Sequence, residues 1–158
     1  MARMARHAAL IGSLAALALG FAACGDDNEG GGGATTGGGG GTTVAVTLQE
    51  YAVLPDSDSA PAGEITFDPE NTGTEEHEFV VVRTDLAPDA LPTTEEGIVD
   101  EEGEGIEIVD EVEALQPGDS GSVTVDADAG SYVLICNVLD EEGDAHYALG
   151  MRTAFTVE

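Results

Sequence analysis

Four side chains in this sequence, His77, Cys136, His146 and Met151, are of the types that bind a soft or borderline metal ion. After the first 23 residues, which hold Met1, Met4 and His7, they are with Cys24 the whole supply of histidine, cysteine and methionine, so none is spare. All four stand at the ends of apolar runs or in the stretch between the last two runs. Taken singly, each has an ordinary reading. A strand cysteine is usually a small buried hydrophobe, a methionine near a terminal strand is core, and a histidine is surface or satisfied core. As a set they fit copper. Two imidazoles and a thiolate in a plane, with a weak axial thioether, make an electron-transfer copper site. Carboxylates, abundant in this chain, favour harder ions.

The elements that must position these residues are short and β-branched. Val44, Val46 and Leu48 alternate with polar neighbours, as do Ile65 with Phe67 and Val123 with Val125. Phe79-Val80-Val81-Val82 and Tyr132-Val133-Leu134-Ile135-Cys136 are continuous apolar runs, and Ala154, Phe155 and Val157 close the chain. Ile106 and Ile108 alternate around Glu107, although Ile108 to Leu115 also suits a helix. Turn formers separate the runs, at Pro61-Ala62-Gly63, Asn71-Thr72-Gly73, Gln116-Pro117-Gly118-Asp119 and Asp128-Ala129-Gly130. Short strands punctuated in this way predict an all-β sandwich or barrel. The half-polar runs are expected as one-sided or edge strands and the continuous ones as central strands. Leu86 to Gly105, with two prolines and many acids, is expected as a surface excursion with room for one short helix.

The order of the four donors carries a resemblance. His77 opens Glu76-His77-Glu78-Phe79-Val80-Val81-Val82, Cys136 ends the run that begins at Gly130, and His146-Tyr147-Ala148-Leu149-Gly150-Met151 precedes the last strand. With Cys-Asn-Val at one end and His-Tyr-x-x-Gly-Met at the other, residues 43–158 resemble the blue-copper cupredoxins, of the plastocyanin and azurin kind. That resemblance implies a Greek-key β-sandwich, one type 1 copper held by His77, Cys136, His146 and Met151, and one-electron transfer, with His146 near the surface as the electron exit. Two positions depart from the family. Leu139 to Ala145 lengthens the ligand loop to Cys-x9-His, where relatives often have a short Pro-Gly link. Glu78 follows the first histidine, where electron carriers often have an asparagine that ties the two ligand loops. Its backbone N–H can still reach the thiolate, and Asn137 is a candidate for the side-chain tie.

The N-terminus reads as a targeting segment. Arg3 and Arg6 precede an apolar stretch from Ala8 to Ala23, short for a spanning helix and followed by small residues, as in a secretory signal. Leu19-Gly20-Phe21-Ala22-Ala23-Cys24 resembles a bacterial lipoprotein box, which implies lipidation of Cys24 and a membrane anchor. The expected organisation is therefore a signal peptide over 1–23, a lipidated Cys24 with a Gly-rich tether over 24–42, and a cupredoxin-like domain over 43–158. A flexible tether of roughly 18 residues has an r.m.s. span of about 21–25 Å. The chain would be lipid-anchored on the outer face of the cytoplasmic membrane.

Charge narrows the partners. The formal net charge is −28 at pH 7, with 4 basic residues against 32 acidic ones. Such a surface repels nucleic acid and attracts cationic partners. The runs Glu95-Glu96, Asp100-Glu101-Glu102 and Asp140-Glu141-Glu142 read as solvated surface, the last of them beside the copper ligands and placed to dock a cationic redox or copper-exchange protein. No Ser-His-Asp pattern or phosphate loop is present, and four protein ligands leave no open position for substrate, so an enzyme is not expected. Three functions stay open: an electron carrier, a copper carrier or buffer using the same ligands, and a metal-free interaction domain.

Overall fold

A computed structural model describes residues 41–158. The signal segment, Cys24 and all of the tether before Gly41 lie outside the described residues. Nine strands and one short helix follow: β1 (Thr42–Gln49), β2 (Ala52–Pro55), β3 (Ser59–Ala60), β4 (Gly63–Asn71), β5 (His77–Thr84), β6 (Ile106–Leu115), β7 (Val123–Ala127), β8 (Gly130–Ile135), α1 (His146–Leu149) and β9 (Arg152–Val157). They form two sheets, of order β2-β1-β4-β7 and β3-β9-β8-β5-β6. β1 runs parallel to β4, and β5 pairs antiparallel with both β6 and β8.

Period-two alternation builds the four-stranded sheet. Val44, Val46 and Leu48 of β1, Ile65 and Phe67 of β4, and Val123 and Val125 of β7 are buried, while the residues between them are exposed or half-buried. Phe67 sits at the centre of the core, its ring 5.5 Å from that of Phe79 and 5.3 Å from that of Phe155. The apolar runs of β5 and β8 are central strands and are buried on both faces. Phe79, Val81 and Leu134 face the sandwich, and Val80, Val82, Val133 and Ile135 form a second cluster with Leu91, Val99 and Tyr147. The excursion after β5 thus lies on the outer face of the five-stranded sheet and supplies Leu91 and Val99 to cover it.

Two local expectations change. Ile108 to Leu115 belongs to a strand, not a helix. β6 pairs with β5 along its length through two register irregularities, and this edge pairing satisfies the backbone that a helix would have satisfied internally. The excursion holds turns and a bridge between Thr93 and Val99 but no helix, and the one helix among the described residues is α1 in the ligand loop. Among the described residues no helix is long and apolar enough to cross a membrane.

Because the three phenylalanine rings pack on one another, Phe67→Ala should lower unfolding stability by about 3–5 kcal/mol, measured by urea denaturation followed by circular dichroism. A loss below about 1 kcal/mol would mean that the core closes over the missing ring.

Candidate metal centre

His77 is the first residue of β5, and its approach is set by Asn71, the last residue of β4. The fully buried Asn71 donates from Nδ2 to the carbonyls of Glu75 (2.7 Å) and Leu115 (2.8 Å), and its Oδ1 accepts the Gly73 N–H at 2.9 Å. Leu115 is the register partner of His77 across the sheet. One amide side chain therefore pins the 72–76 turn, the strand opposite and the entry to the histidine. From sequence, Asn71 reads only as a turn former.

The other three donors come from the connection between β8 and β9. Cys136 directly follows β8 and donates its N–H to the Met151 carbonyl at 3.0 Å. The His146 N–H donates to the Val138 carbonyl, and the Met151 N–H to the His146 carbonyl, each at 3.0 Å. These main-chain bonds draw Cys136, His146 and Met151 into one closed frame. The seven added residues do not loosen it. Leu139 and Ala145 pair as a bridge, and the Asp144 N–H donates to Asp140 Oδ1 at 2.8 Å. Gly143 takes the positive φ of 89° that the turn needs. The insertion closes on itself and returns the chain to where it left.

Buttresses hold the frame from outside. Asn137 Oδ1 accepts the Val99 N–H at 2.6 Å, and the Tyr147 hydroxyl donates to the Pro88 carbonyl at 2.7 Å while accepting the Leu91 N–H at 3.2 Å. The neighbours of Cys136 and His146 are thus both bonded to the 86–105 excursion. The side chain of Asn137 therefore ties the ligand loop to the excursion and not to the first-histidine segment, correcting the expectation. The tie to that segment comes from the Glu78 N–H, which donates to Cys136 Sγ at 3.3 Å.

All four sequence-identified residues are fully buried. His77 Nδ1 and His146 Nδ1 are 3.1 Å apart, and Cys136 Sγ lies 3.8 Å from the first and 3.5 Å from the second. The point equidistant from these three atoms lies about 2 Å from each, close to the ~2.0–2.3 Å reach of metal–imidazole and metal–thiolate bonds. His146 is covered more than expected: the Tyr51 ring packs edge-on at 5.3 Å. Beside it opens a cleft lined by Glu75, Glu76, Asp140, Glu141 and Glu142.

The electrostatics suit a cation and little else. Burial, then the facing His146, holds His77 below the usual imidazole range. Burial pushes the Cys136 thiol up to about 12, against the opposing amides of Glu78 and Val138. Glu78 rises to about 7, through burial and then the charges of Glu111, Glu101 and Glu113. Two Nδ1 atoms in contact can share only one hydrogen, and the neutral thiol brings a second, so the three atoms partner one another while uncharged. A metal ion bound between them would displace the thiol proton to solvent and stabilise the thiolate.

Sequence reading missed the groups behind the histidines. His77 Nε2 lies 3.3 Å from Glu50 Oε1, and His146 Nε2 lies 3.2 Å from Glu75 Oε2. Two glutamates among 32 acidic residues carry no signal of their own.

Comparison with known proteins yields structures only. No protein-family model matches the chain, and no curated protein matches it significantly. Among solved structures, dithionite-reduced auracyanin from the photosynthetic bacterium Roseiflexus castenholzii is 27% identical, with a TM-score of 0.53 over 76% of this chain and 99% of that one. Auracyanin B is 25% identical, with a TM-score of 0.52 over 74% of this chain and 88% of that one. Auracyanin A, described as a "blue" copper protein from the green thermophilic bacterium Chloroflexus aurantiacus, is 22% identical, with a TM-score of 0.51 over 75% of this chain and 100% of that one. These neighbours are cupredoxins, and the two-sheet sandwich described above is the cupredoxin fold. The cluster of His77, Cys136 and His146, with Met151, matches a type 1 copper site in its donors.

Asn71→Ala should cost about 1–3 kcal/mol, because it leaves the Leu115 carbonyl buried without a donor. Chemical denaturation measures the loss. A stability equal to wild type would show that the 72–76 turn holds without it.

Proposed function

We propose that this chain is an extracytoplasmic type 1 copper protein that carries single electrons between redox partners. The observation that carries the reading is the buried triangle of His77 Nδ1, His146 Nδ1 and Cys136 Sγ, with sides of 3.1, 3.5 and 3.8 Å. Copper, when bound, supplies a one-electron couple. The imidazoles of His77 and His146 and the thiolate of Cys136 would hold it, with the Met151 thioether as a weaker fourth donor. The Glu78 N–H withdraws density from the sulfur and fixes its position. Main-chain bonds through Cys136, His146 and Met151 keep the donors in place through a change of charge, so little has to move on electron transfer.

Burial separates this reading from its rivals. Ligands with no solvent exposure suit a resident metal better than one passed to an acceptor, which favours electron transfer over copper delivery. A metal-free interaction domain would gain nothing from burying two histidines whose Nε2 atoms lack hydrogen-bond partners, since such burial is costly. With all four ligands supplied by the protein and water excluded, no position is open to a substrate, so the chain acts as a carrier and not an enzyme. The neighbour at 27% identity is an auracyanin in its dithionite-reduced state, a redox protein, in keeping with this role.

The route out runs through His146 and Tyr51 to the cleft of Glu75, Glu76, Asp140, Glu141 and Glu142. Five carboxylates there select a partner with a cationic docking face and repel nucleic acid. The leader-like N-terminus and the lipoprotein-box sequence at Cys24 support a lipid-anchored location on the outer face of the cytoplasmic membrane, with the Gly-rich segment as the tether.

Copper titration of the apoprotein should develop an intense visible thiolate-to-copper band at one equivalent, absent in Cys136→Ser. A copper-loaded protein without colour would sink the type 1 assignment. The anchor has its own test: expressed in a bacterium with its leader, the wild type should sediment with membranes and Cys24→Ser should not. Equal partition of the two would remove the lipid anchor.

A further inference from the structure

Two buried nitrogen atoms stand out. Among the described residues, His77 Nε2 and His146 Nε2 are the only fully buried side-chain nitrogen or oxygen atoms without a well-formed hydrogen bond. Each has a carboxylate oxygen close by. Glu50 Oε1 is 3.3 Å from His77 Nε2, and Glu75 Oε2 is 3.2 Å from His146 Nε2. Both rings therefore have the same surroundings, with the shared donor triangle on the Nδ1 side and one glutamate on the Nε2 side.

The glutamates are themselves placed. Glu50 Oε1 accepts the Thr74 N–H at 2.7 Å and the Glu75 N–H at 2.8 Å. These two amides clamp it to the turn that leads into His77. Glu75 Oε2 takes a longer contact of 3.5 Å from the Tyr51 hydroxyl. The backbone of the 74–75 turn thus holds the first carboxylate, and its side chain provides the second.

An imidazole can bind a metal through Nδ1 only if its hydrogen sits on Nε2. A carboxylate facing Nε2 selects that tautomer, sets the plane of the ring and makes Nδ1 a stronger donor. Paired anions behind both ligands also offset the charge of the more oxidised ion more than that of the reduced one. We propose that Glu50 and Glu75 are positioning residues of the metal centre, each taking the Nε2 hydrogen of one histidine, and that together they bias the site toward the oxidised metal. The inference rests on the copper reading above. Both hydrogens stay on the rings, so the centre exchanges one electron and no proton.

The two glutamates differ in weight. Glu50 is clamped by two amides and is the less exposed, with 22% side-chain exposure against 36% for Glu75. Glu50 therefore dominates, and the effect of Glu75 is the more readily screened by salt.

The experiment measures Cu(I) and Cu(II) affinities separately, with the reduction potential, for wild type, Glu50→Gln, Glu75→Gln and Glu107→Gln. Glutamine keeps the size and an acceptor oxygen but loses the charge. Glu107 lies opposite Arg83 at the other end of β5 and controls for the change in net charge. Glu50→Gln should weaken Cu(II) binding by about 10–100-fold, with a smaller loss for Cu(I) and therefore a raised potential. Glu75→Gln should do the same more weakly, with its effect shrinking at high salt. A purely structural role would lower both affinities together and leave the potential where it was. Variants with the same Cu(II)-to-Cu(I) affinity ratio as Glu107→Gln overturn this inference alone. A wild-type protein that takes up no copper overturns the copper reading with it.

Discussion

The fold is organised around a desolvation problem. Three lone-pair donors, two imidazole nitrogens and a sulfur, are brought within 3.8 Å of one another in a part of the protein that water does not reach. Two bare Nδ1 lone pairs in contact repel, and there is room for only one hydrogen between them. Burial already holds the thiol protonated, with its titration raised to about 12. The convergence of these donors suits a bound cation, and the surrounding structure keeps the donors from relaxing apart.

That restraint comes from three directions. The sandwich supplies β5 and β8 as adjacent central strands, so His77 at the start of one lies beside Cys136 at the end of the other. Asn71 closes the first-histidine turn, and the main chain of Cys136, His146 and Met151 closes the second. From the outer face, the 86–105 excursion packs Leu91 and Val99 onto the sheet and bonds Asn137 and Tyr147. A segment that looks like surplus acidic loop is part of the support for the centre. Its apolar anchors explain why β5 and β8 are hydrophobic on both faces.

What could be read from the sequence follows from rarity and periodicity. The four donors are of uncommon types in a chain with few of them, and their order matches a family. The alternating and continuous apolar runs reported which strands are one-sided and which are central. Glu50 and Glu75 were hidden because a glutamate is informative only where acids are scarce. Asn71 looked like any turn residue, since the buried carbonyl it satisfies lies on a strand 44 residues away. Ile108 to Leu115 was ambiguous because bulges and exposed positions blur its period of two. The helix at His146 is a single turn, too short to leave a periodic trace, and its ends are set by the tertiary bonds of the ligand loop. The leader and Cys24 rest on their motifs alone.

The self-closed turn from Leu139 to Ala145 separates two properties that a shorter ligand loop would couple. Its base is pinned by pairing, so changes in length at its tip do not displace the donor atoms. Glu141 and Glu142, at the tip of the turn on the rim of the cleft, can therefore change without moving the donors, whereas Asp140, which closes the turn, cannot. For an engineer the tip is an insertion point, where a label, a tag or a grafted recognition peptide can be carried beside the cleft while the donor residues keep their positions.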